Sequence, residues 1–425
     1  MELRAWLVPI LLLIVVVTQL LEPYRGWRIL IVGLGGVLIG SWLWTRSLMR
    51  HLDLTRQMRF GWAQVGDRLI ERFTVHNGGW APGVWVEVLD QSTLPGYFIS
   101  RGTGISSFDL IRWHTEAVCQ RRGLFTLGPT QLRTGDPFGI FSATIDFPAS
   151  LPLLVLPPIA PLPSIEVAPG GRSGEARPRA NIVDRTVSAA TVREYTTGDS
   201  QRHIHWRTSA RREELYVRQF ESTPSGDWWI VLDMDKDVQA GVDEDLTDEH
   251  GVVLAASLAD RGVRLRRAVG IVAQGEELVW MPPAEGEGQR WEILRSLALV
   301  TRGEVPFAEV LARVGPSIGQ RASLVLITPS TDIAWVEELV TMIRRGVVPT
   351  VMLLDPVSFG GPGTMEAVQA ALTNLGVAYY EITKDVLDLP EVRPGRQGRL
   401  EWRVSGTGKA IAVRQEEPVA WRVLA

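Results

Sequence analysis

Two predominantly apolar runs open the chain, from about Ala5 to Leu21 and from about Trp27 to Trp44. Each is near the lower limit of the roughly 17–25 residues that cross a bilayer. The short polar turn Glu22-Pro23-Tyr24-Arg25-Gly26 between them predicts an antiparallel helical hairpin over residues 1–50. Trp6, Tyr24, Trp27, Trp42 and Trp44 stand near the run ends, where aromatic rings favour the headgroup layer. Gly33, Gly35, Gly36 and Gly40 would let the second helix approach the first. A cleaved signal peptide would need a small-residue site before Glu22, which is missing. A buried hairpin would need an unusually large core, because the runs are apolar on all sides. Arg46, Arg50, Arg56 and Arg59 follow the second run and Arg4 precedes the first, against Arg25, Arg28 and Glu22 in the turn. By the positive-inside rule both termini face the cytoplasm. The expectation is a multi-pass protein with residues 5–44 in the lipid bilayer and its soluble domains on the cytoplasmic side.

From residue 58 to about 160 the period changes to two. Leu69–Val75, closed by His76-Asn77-Gly78-Gly79, and Val84–Leu89 alternate as half-buried strands. Further candidates lie at Ile111–Trp113, Gly123–Leu127 and Thr130–Arg133. Short strands separated by Gly, Pro and Asn predict a small antiparallel β-sandwich. Pro152 to Pro163 reads as a last strand running into a stiff connector, and Gly170–Gly174 as an exposed loop.

Beyond a connector at 161–221, residues 222–425 alternate strands and helices. Trp228–Leu232, Ala268–Val272, Ser323–Thr328 and Pro349–Leu354 are continuous apolar strands. Glu244–Arg261, Arg290–Val300, Ala334–Arg345 and Met365–Leu375 are the helices between and after them. This order predicts a doubly wound parallel sheet, whose ligands sit beyond the strand C-termini. There the chain carries Asp233-Met234-Asp235-Lys236-Asp237 and Thr328-Pro329-Ser330-Thr331-Asp332. The last apolar stretches, Trp402–Val404 and Ala410–Arg414, either extend this sheet or form a separate hairpin.

Composition changes this picture only by exclusion. A chain of 425 residues needs more than one core, and 45% hydrophobic with 22% charged residues suits globular domains. A net charge of -4 gives no nucleic-acid footprint. Cys119 is the lone cysteine, so intramolecular disulfides are impossible and a thiolate-ligated zinc site is disfavoured. It lies in a strand-like stretch with no helix N-terminus to activate it. His76 and His114 lack a partner at metal-ligand spacing. His203 and His205, with Asp199 nearby, lack a third ligand or a nucleophile, so no catalytic constellation emerges. No phosphate-binding Gly-Lys-Ser/Thr or dinucleotide glycine motif follows a strand of the C-terminal domain.

Residues 193–221 carry the densest motif: Arg193, Tyr195, Gly198, Asp199, Arg202, Ile204, Trp206, Ser209, Ala210, Arg211, Leu215, Val217 and Phe220. Gly198-Asp199-Ser200 suits a turn capping a short helix, with Ile204 and Trp206 on its buried side. The arginines and the acids of this segment pair internally or grip an acidic partner or phosphate; both readings stay open. The motif resembles the signature of the bacterial "domain of unknown function 58" family, as do Arg122-Gly123, Gly128-Pro129, Asp136-Pro137-Phe138-Gly139 and the paired N-terminal helices. The resemblance implies a von Willebrand factor A-like C-terminal domain on a membrane protein, and with no catalytic constellation the expectation is a non-enzymatic interaction protein. The resemblance also implies partnership with a MoxR-type AAA+ ATPase and a transglutaminase-like membrane protein in envelope or complex assembly. Arg193, Tyr195, Asp199, Arg202, Trp206 and Arg211 are its candidate partner-binding residues. Such domains often hold Mg²⁺ through Asp-x-Ser-x-Ser with a later Thr and Asp. Asp233, Thr328 and Asp332 match, while Asp235 and Asp237 replace both serines. A degenerate site binding Mg²⁺ or Ca²⁺ is therefore the alternative expectation.

Overall fold

The computed structural model describes residues 1–58, 61–162, 165–170, 189–194, 206–212, 214–220, 227–242, 245–319, 322–387, 400–404, 410–414 and 422–423. Backbone contacts divide the chain into two units. One is 1–160 with 294–299 and 388–425, and the other 161–293 with 300–387.

In the first unit, helices Leu7–Leu21 and Arg25–His51 are joined through Glu22, Pro23 and Tyr24 and pack along each other. Arg25–His51 is long and apolar enough to cross a membrane by length and composition; Leu7–Leu21, at 15 residues, is a shorter apolar helix. Both leave their aliphatic side chains uncovered: Leu7, Leu20, Leu21 and Val32 are each at least three-quarters exposed. The character of the longer helix changes near its end. Ser41, Thr45, Ser47 and Leu48 are buried, because the last turns pack against the strands that follow.

Those strands build three sheets around one core. The first runs in the order Arg422–Val423, Leu52–Met58, Arg68–Asn77, Asp109–Val118. The second runs Glu2–Leu3, Phe141–Phe147, Thr130–Gly135, Gly83–Asp90, Arg101–Ile105. The third is Trp62–Gln64, Leu151–Leu156, Gly123–Leu127. Phe73 and Val75, Val86, Val88 and Leu132, and Leu127, Leu153 and Val155 meet in a single apolar cluster that also includes Leu48. Trp62–Gln64 pairs parallel with Leu151–Leu156, so the module departs from the wholly antiparallel expectation. It also starts earlier than residue 58, at Leu52–Met58. That strand was hidden because its Arg56 looks like a flanking membrane charge. In fact Leu52, Leu54, Arg56 and Met58 all point inward, and Arg56 is 4% exposed. Arg56 therefore leaves the set of charges that orients the helices.

The second unit centres on a six-stranded sheet in the order Leu278–Ala284, Val269–Gln274, Trp228–Leu232, Ser323–Thr328, Val348–Leu354, Ala378–Ile382. Every pair is parallel except the first, which corrects the all-parallel expectation. The exception follows from a turn through Gly275 to Glu277, too short for a crossover helix. Its half-exposed alternation and Pro282-Pro283 suit an edge strand. Alternate residues of the buried strands face opposite layers. Trp229, Val231, Leu324, Leu326, Val351 and Leu353 share a core with helices Phe307–Val314, Ala334–Arg344 and Glu366–Leu375. Helix Thr247–Arg264 covers the other face, where Gly251 allows close approach to Leu232, Ile327 and Leu354.

Among the described residues, strands Leu400–Val404 and Ala410–Arg414 pair only with each other, and Arg422–Val423 pairs with Leu52–Met58. None of them extends the six-stranded sheet.

Candidate functional site

Strand order reverses at Trp228–Leu232. The chain leaves it for Val269–Gln274 on one side and returns to Ser323–Thr328 on the other. At such a switch the loops after the two strands diverge and open a crevice at their C-terminal ends. Asp233 and Thr328, the first residue beyond one strand and the last of the other, stand there.

Both are almost fully buried, and they meet directly: the Thr328 hydroxyl donates to Asp233 Oδ2 at 2.5 Å. Asp233 Oδ1 accepts the Asp235 N–H at 3.1 Å, and Asp235 Oδ1 accepts the Asp237 N–H at 3.1 Å. Thr328 Oγ1 accepts the Ser330 N–H at 2.9 Å, and Ser330 Oγ accepts the Asp332 N–H at 3.3 Å. The two loops are thus built alike, each side-chain oxygen holding a backbone N–H two residues on. Asp233's own N–H reaches Ile327 O, and Gly303 exchanges backbone hydrogen bonds with Met234 and Lys236. Gln239 donates to Asp233 O at 3.2 Å and accepts the Thr247 hydroxyl at 2.7 Å.

Burial pushes the Asp233 carboxyl up to about 7, against the hydrogen bonds from Thr328 and Asp235 that favour its ionised form. This buried carboxyl therefore holds a proton for much of the time near neutrality. Two paired charges brace the rim. Arg302 forks onto Asp248 with two 2.8 Å bonds, and Lys236 pairs with Glu304 at 2.5 Å.

Of the five candidate metal residues, Asp233, Asp235 and Thr328 converge, whereas Asp237 and Asp332 are exposed. Among the described residues no three His, Cys, Asp or Glu side chains come together as a metal-holding set. The donors at the centre are engaged with one another, Thr328 with Asp233 and each side-chain oxygen with a backbone N–H. Ser330, 4% exposed, belongs to the cluster although sequence reasoning did not single it out. Its signal was its place two residues beyond Thr328, matching the two-residue step from Asp233 to Asp235.

Around this polar centre the loop tips are apolar. Val242, Ile333 and Val357, from three successive strand-to-helix loops, are 74%, 43% and 56% exposed. Gly361 packs so closely on Ala240 that a Cβ would lie 2.5 Å from the alanine methyl, which ties two of those loops together.

The signature segment is only partly described. Arg193 lies in strand Ala189–Glu194, opposite Val217. Tyr195, Asp199 and Arg202 lie outside the described residues, as do Gly198, His203, Ile204 and His205. Trp206 begins helix Trp206–Arg212, and its ring is 68% exposed, which corrects its expected place on a buried side. Ser209 makes the inward contact instead, accepting the Tyr216 N–H at 2.9 Å. Arg211 is exposed in the last turn. Elsewhere, Cys119 is buried and its thiol is pushed up to about 12, mainly by desolvation. A separate cavity of about 260 Å³ lies between the edge-strand residues Leu278 and Trp280 and helix residues Val310 and Arg313.

The second unit is thus an open α/β sheet with an internally bonded acidic and hydroxyl cluster at its switch point, ringed by apolar loop tips. Residues 191–360 match the model of the family described as "Protein of unknown function DUF58". The Bacillus subtilis (strain 168) protein described as "Uncharacterized protein YeaD" is 27% identical over 179 residues, 42% of this chain and 43% of that relative. The match thus spans less than half of that relative's length. Among solved structures, an aerotolerance-related membrane protein from Bacteroides fragilis is 15% identical, covering 44% of this chain and 81% of that one, with a TM-score of 0.24. The SpRpn10 VWA domain is 11% identical, covering 38% of this chain and 89% of that one, with a TM-score of 0.27.

Proposed function

We propose that the protein is a membrane-anchored, non-enzymatic interaction protein. Helices Leu7–Leu21 and Arg25–His51 cross the cytoplasmic membrane as a hairpin, and the strand module and the α/β unit lie on its cytoplasmic side. The observation that carries this reading is the exposed apolar surface of the two helices, from Leu7 and Leu13 to Ile29, Val32 and Ile39. Withdrawing each such side chain from water is worth about 1.5–3 kcal/mol, a driving force that only an apolar environment can realise. With Arg56 buried, orientation rests on Arg4, Arg46 and Arg50 against Arg25, Arg28 and Glu22.

The loop face around Asp233 and Thr328 is the docking surface. Its exposed Val242, Ile333 and Val357 beside Lys236, Glu304 and Asp332 combine apolar anchors with a charged rim, the composition of protein interfaces. The partner expected from the family resemblance is a MoxR-type AAA+ ATPase, with a transglutaminase-like membrane protein in the same assembly. The test is crosslinking and affinity capture from membranes with the intact protein and with Val357→Asp, each with and without Mg²⁺. The reading expects an AAA+ ATPase to be enriched by the intact protein and lost with Val357→Asp, independently of the cation. Capture that never enriches an AAA+ ATPase removes the partner. Capture that requires Mg²⁺ would make a metal-assisted dock the better account of the acidic cluster.

A further inference from the structure

The end of the helices that joins the strand module is unusually rich in uncovered aromatic rings. Trp80, Phe108 and Phe138 are 53%, 73% and 69% exposed, each on a loop tip of the module. All three are fixed beside the helix ends. The Trp80 ring meets Trp44 edge-on at 5.6 Å, and Trp44 donates its indole N–H to Pro82 O at 3.0 Å. Gly79 lies against Ser47 and His51 so closely that a Cβ there would sit 2.9 Å from the serine hydroxyl. The Phe108 N–H donates to Gly79 O, which ties its loop to the residue before Trp80. Phe138 sits two residues from Ile140, whose carbonyl accepts the N–H groups of Arg4 and Ala5 at the start of the first helix. Buried Asp136 fixes that loop by accepting the N–H groups of Phe138 and Phe141 at 2.8 and 2.6 Å.

These rings are not stray surface residues, because the backbone is arranged to hold them out. Phe108 has a φ of 54°, a left-handed conformation rarely adopted by a bulky residue. Exposed Trp6 immediately precedes the first helix and exposed Trp42 lies on the second, with the Arg46 guanidinium 5.0 Å over the Trp42 ring. Arg4, Arg46 and Arg50 are exposed around them.

Length supplies the reason. Leu7–Leu21 reaches roughly 22 Å, and so does the stretch from Trp27 to Trp42, at about 1.5 Å per residue. A bilayer hydrocarbon core is about 30 Å thick. A short hairpin draws whatever flanks it towards the hydrocarbon or thins the bilayer around it. Here the flank is the aromatic loop end of the module.

We propose that Trp80, Phe108 and Phe138 form a membrane-docking surface, embedded with Trp6 and Trp42 in the interfacial layer of the bilayer. The module is then seated on the membrane, held by its loops as well as by its helices. The occupant is the lipid surface, because the patch is continuous with the apolar helices and its basic rim suits lipid phosphates. This inference rests on the membrane-anchored reading above.

The single cysteine makes the test direct. Cys119 is buried and protonated, so a thiol-reactive fluorophore should attach only at an introduced cysteine; an unreacted Cys119 also reports that the module is folded. The full chain is reconstituted in phosphatidylcholine–phosphatidylglycerol vesicles with brominated acyl chains, carrying Phe108→Cys, Phe138→Cys, Phe98→Cys, Leu124→Cys or Ile29→Cys. Phe98 and Leu124 are exposed, and Phe98 adjoins Tyr97, which contacts Arg56 late in the strand that leads away from the helices. Quenching at 108 and 138 should exceed that at 98 and 124 by about threefold or more, with a blue-shifted emission. Equal, weak quenching at these four positions with strong quenching at 29 overturns the docking surface and leaves the anchor intact. Weak quenching at 29 as well overturns both.

Discussion

Replacing Arg56 by methionine tests the internal logic of the strand module. Arg56 lies at an inward position of Leu52–Met58, stacked 5.2 Å from the Phe73 ring. Its Nε and Nη2 bond Glu71 at 3.0 and 2.7 Å, and Nη1 reaches Asp90 at 3.0 Å. Ser92, Tyr97 and Thr130 take its remaining contacts at 3.2 to 3.5 Å. Glu71 is fully buried and also accepts the Tyr97 hydroxyl. Burial already pushes the Glu71 carboxyl above its ordinary range, against the pull of Arg56. Methionine preserves much of the apolar stem but strands two carboxylates, and removing one partner of a buried pair costs about 3–5 kcal/mol. The cost must depend on pH. Without Arg56 the Glu71 pKa rises further. A carboxyl whose folded pKa exceeds its unfolded value contributes stability below the unfolded pKa and loses it as pH rises through the folded one. The penalty should therefore be smallest near pH 5 and grow towards pH 8. Urea unfolding of the detergent-solubilised chain, followed by the change in Trp fluorescence, measures it at each pH. Adding Glu71→Met should recover part of the loss, with a coupling of about 1 kcal/mol or more. A surface arginine at this position would cost less than about 0.5 kcal/mol. A flat penalty of that size would refute the reasoning.

Two further substitutions test the α/β unit. The Asp233 carboxyl, at about 7 when folded and 3.8 ordinarily, contributes stability at low pH that disappears as pH rises through 7. Asp233→Asn should thus raise the unfolding free energy at pH 8 by up to about 4 kcal/mol, discounted for reorienting Thr328, and so raise the unfolding midpoint there, with little gain near pH 4. A midpoint unchanged at pH 8 would remove the buried-carboxyl argument. Gly262→Ala should destabilise by about 1–2 kcal/mol despite better helix propensity, because a Cβ would lie 2.6 Å from Val269 Cγ2 and 2.9 Å from the Trp228 ring. Thermal unfolding decides it, and a stabilised variant would show that helix Thr247–Arg264 can lift off the sheet.

Much of this architecture is visible along the chain because periodicity is local. Gly123–Leu127 and Ser323–Thr328 fall where alternation and continuous apolar runs put them, and Ala334–Arg344 ends one residue short of the expected helix. The two N-terminal runs are helices for the same reason, and the acidic loop lies beyond its strand as the alternating βα order requires.

What periodicity does not report is the company a side chain keeps once distant segments pack. Asp233 and Thr328 stand 95 positions apart, and only the sheet order makes one hydrogen-bond to the other. Arg56 has the same charge as Arg46 and Arg50, yet it is buried because Glu71 and Asp90 converge on it from two other strands. The edge strand Leu278–Ala284 turns antiparallel because its connection is too short to cross over. Trp206 faces solvent, since Ser209 supplies the contact that anchors its helix. The sequence alone determined which residues share a face. Tertiary structure decided what covers each face, and with it the local dielectric that makes the same arginine or aspartate a surface charge in one place and a buried partner in another.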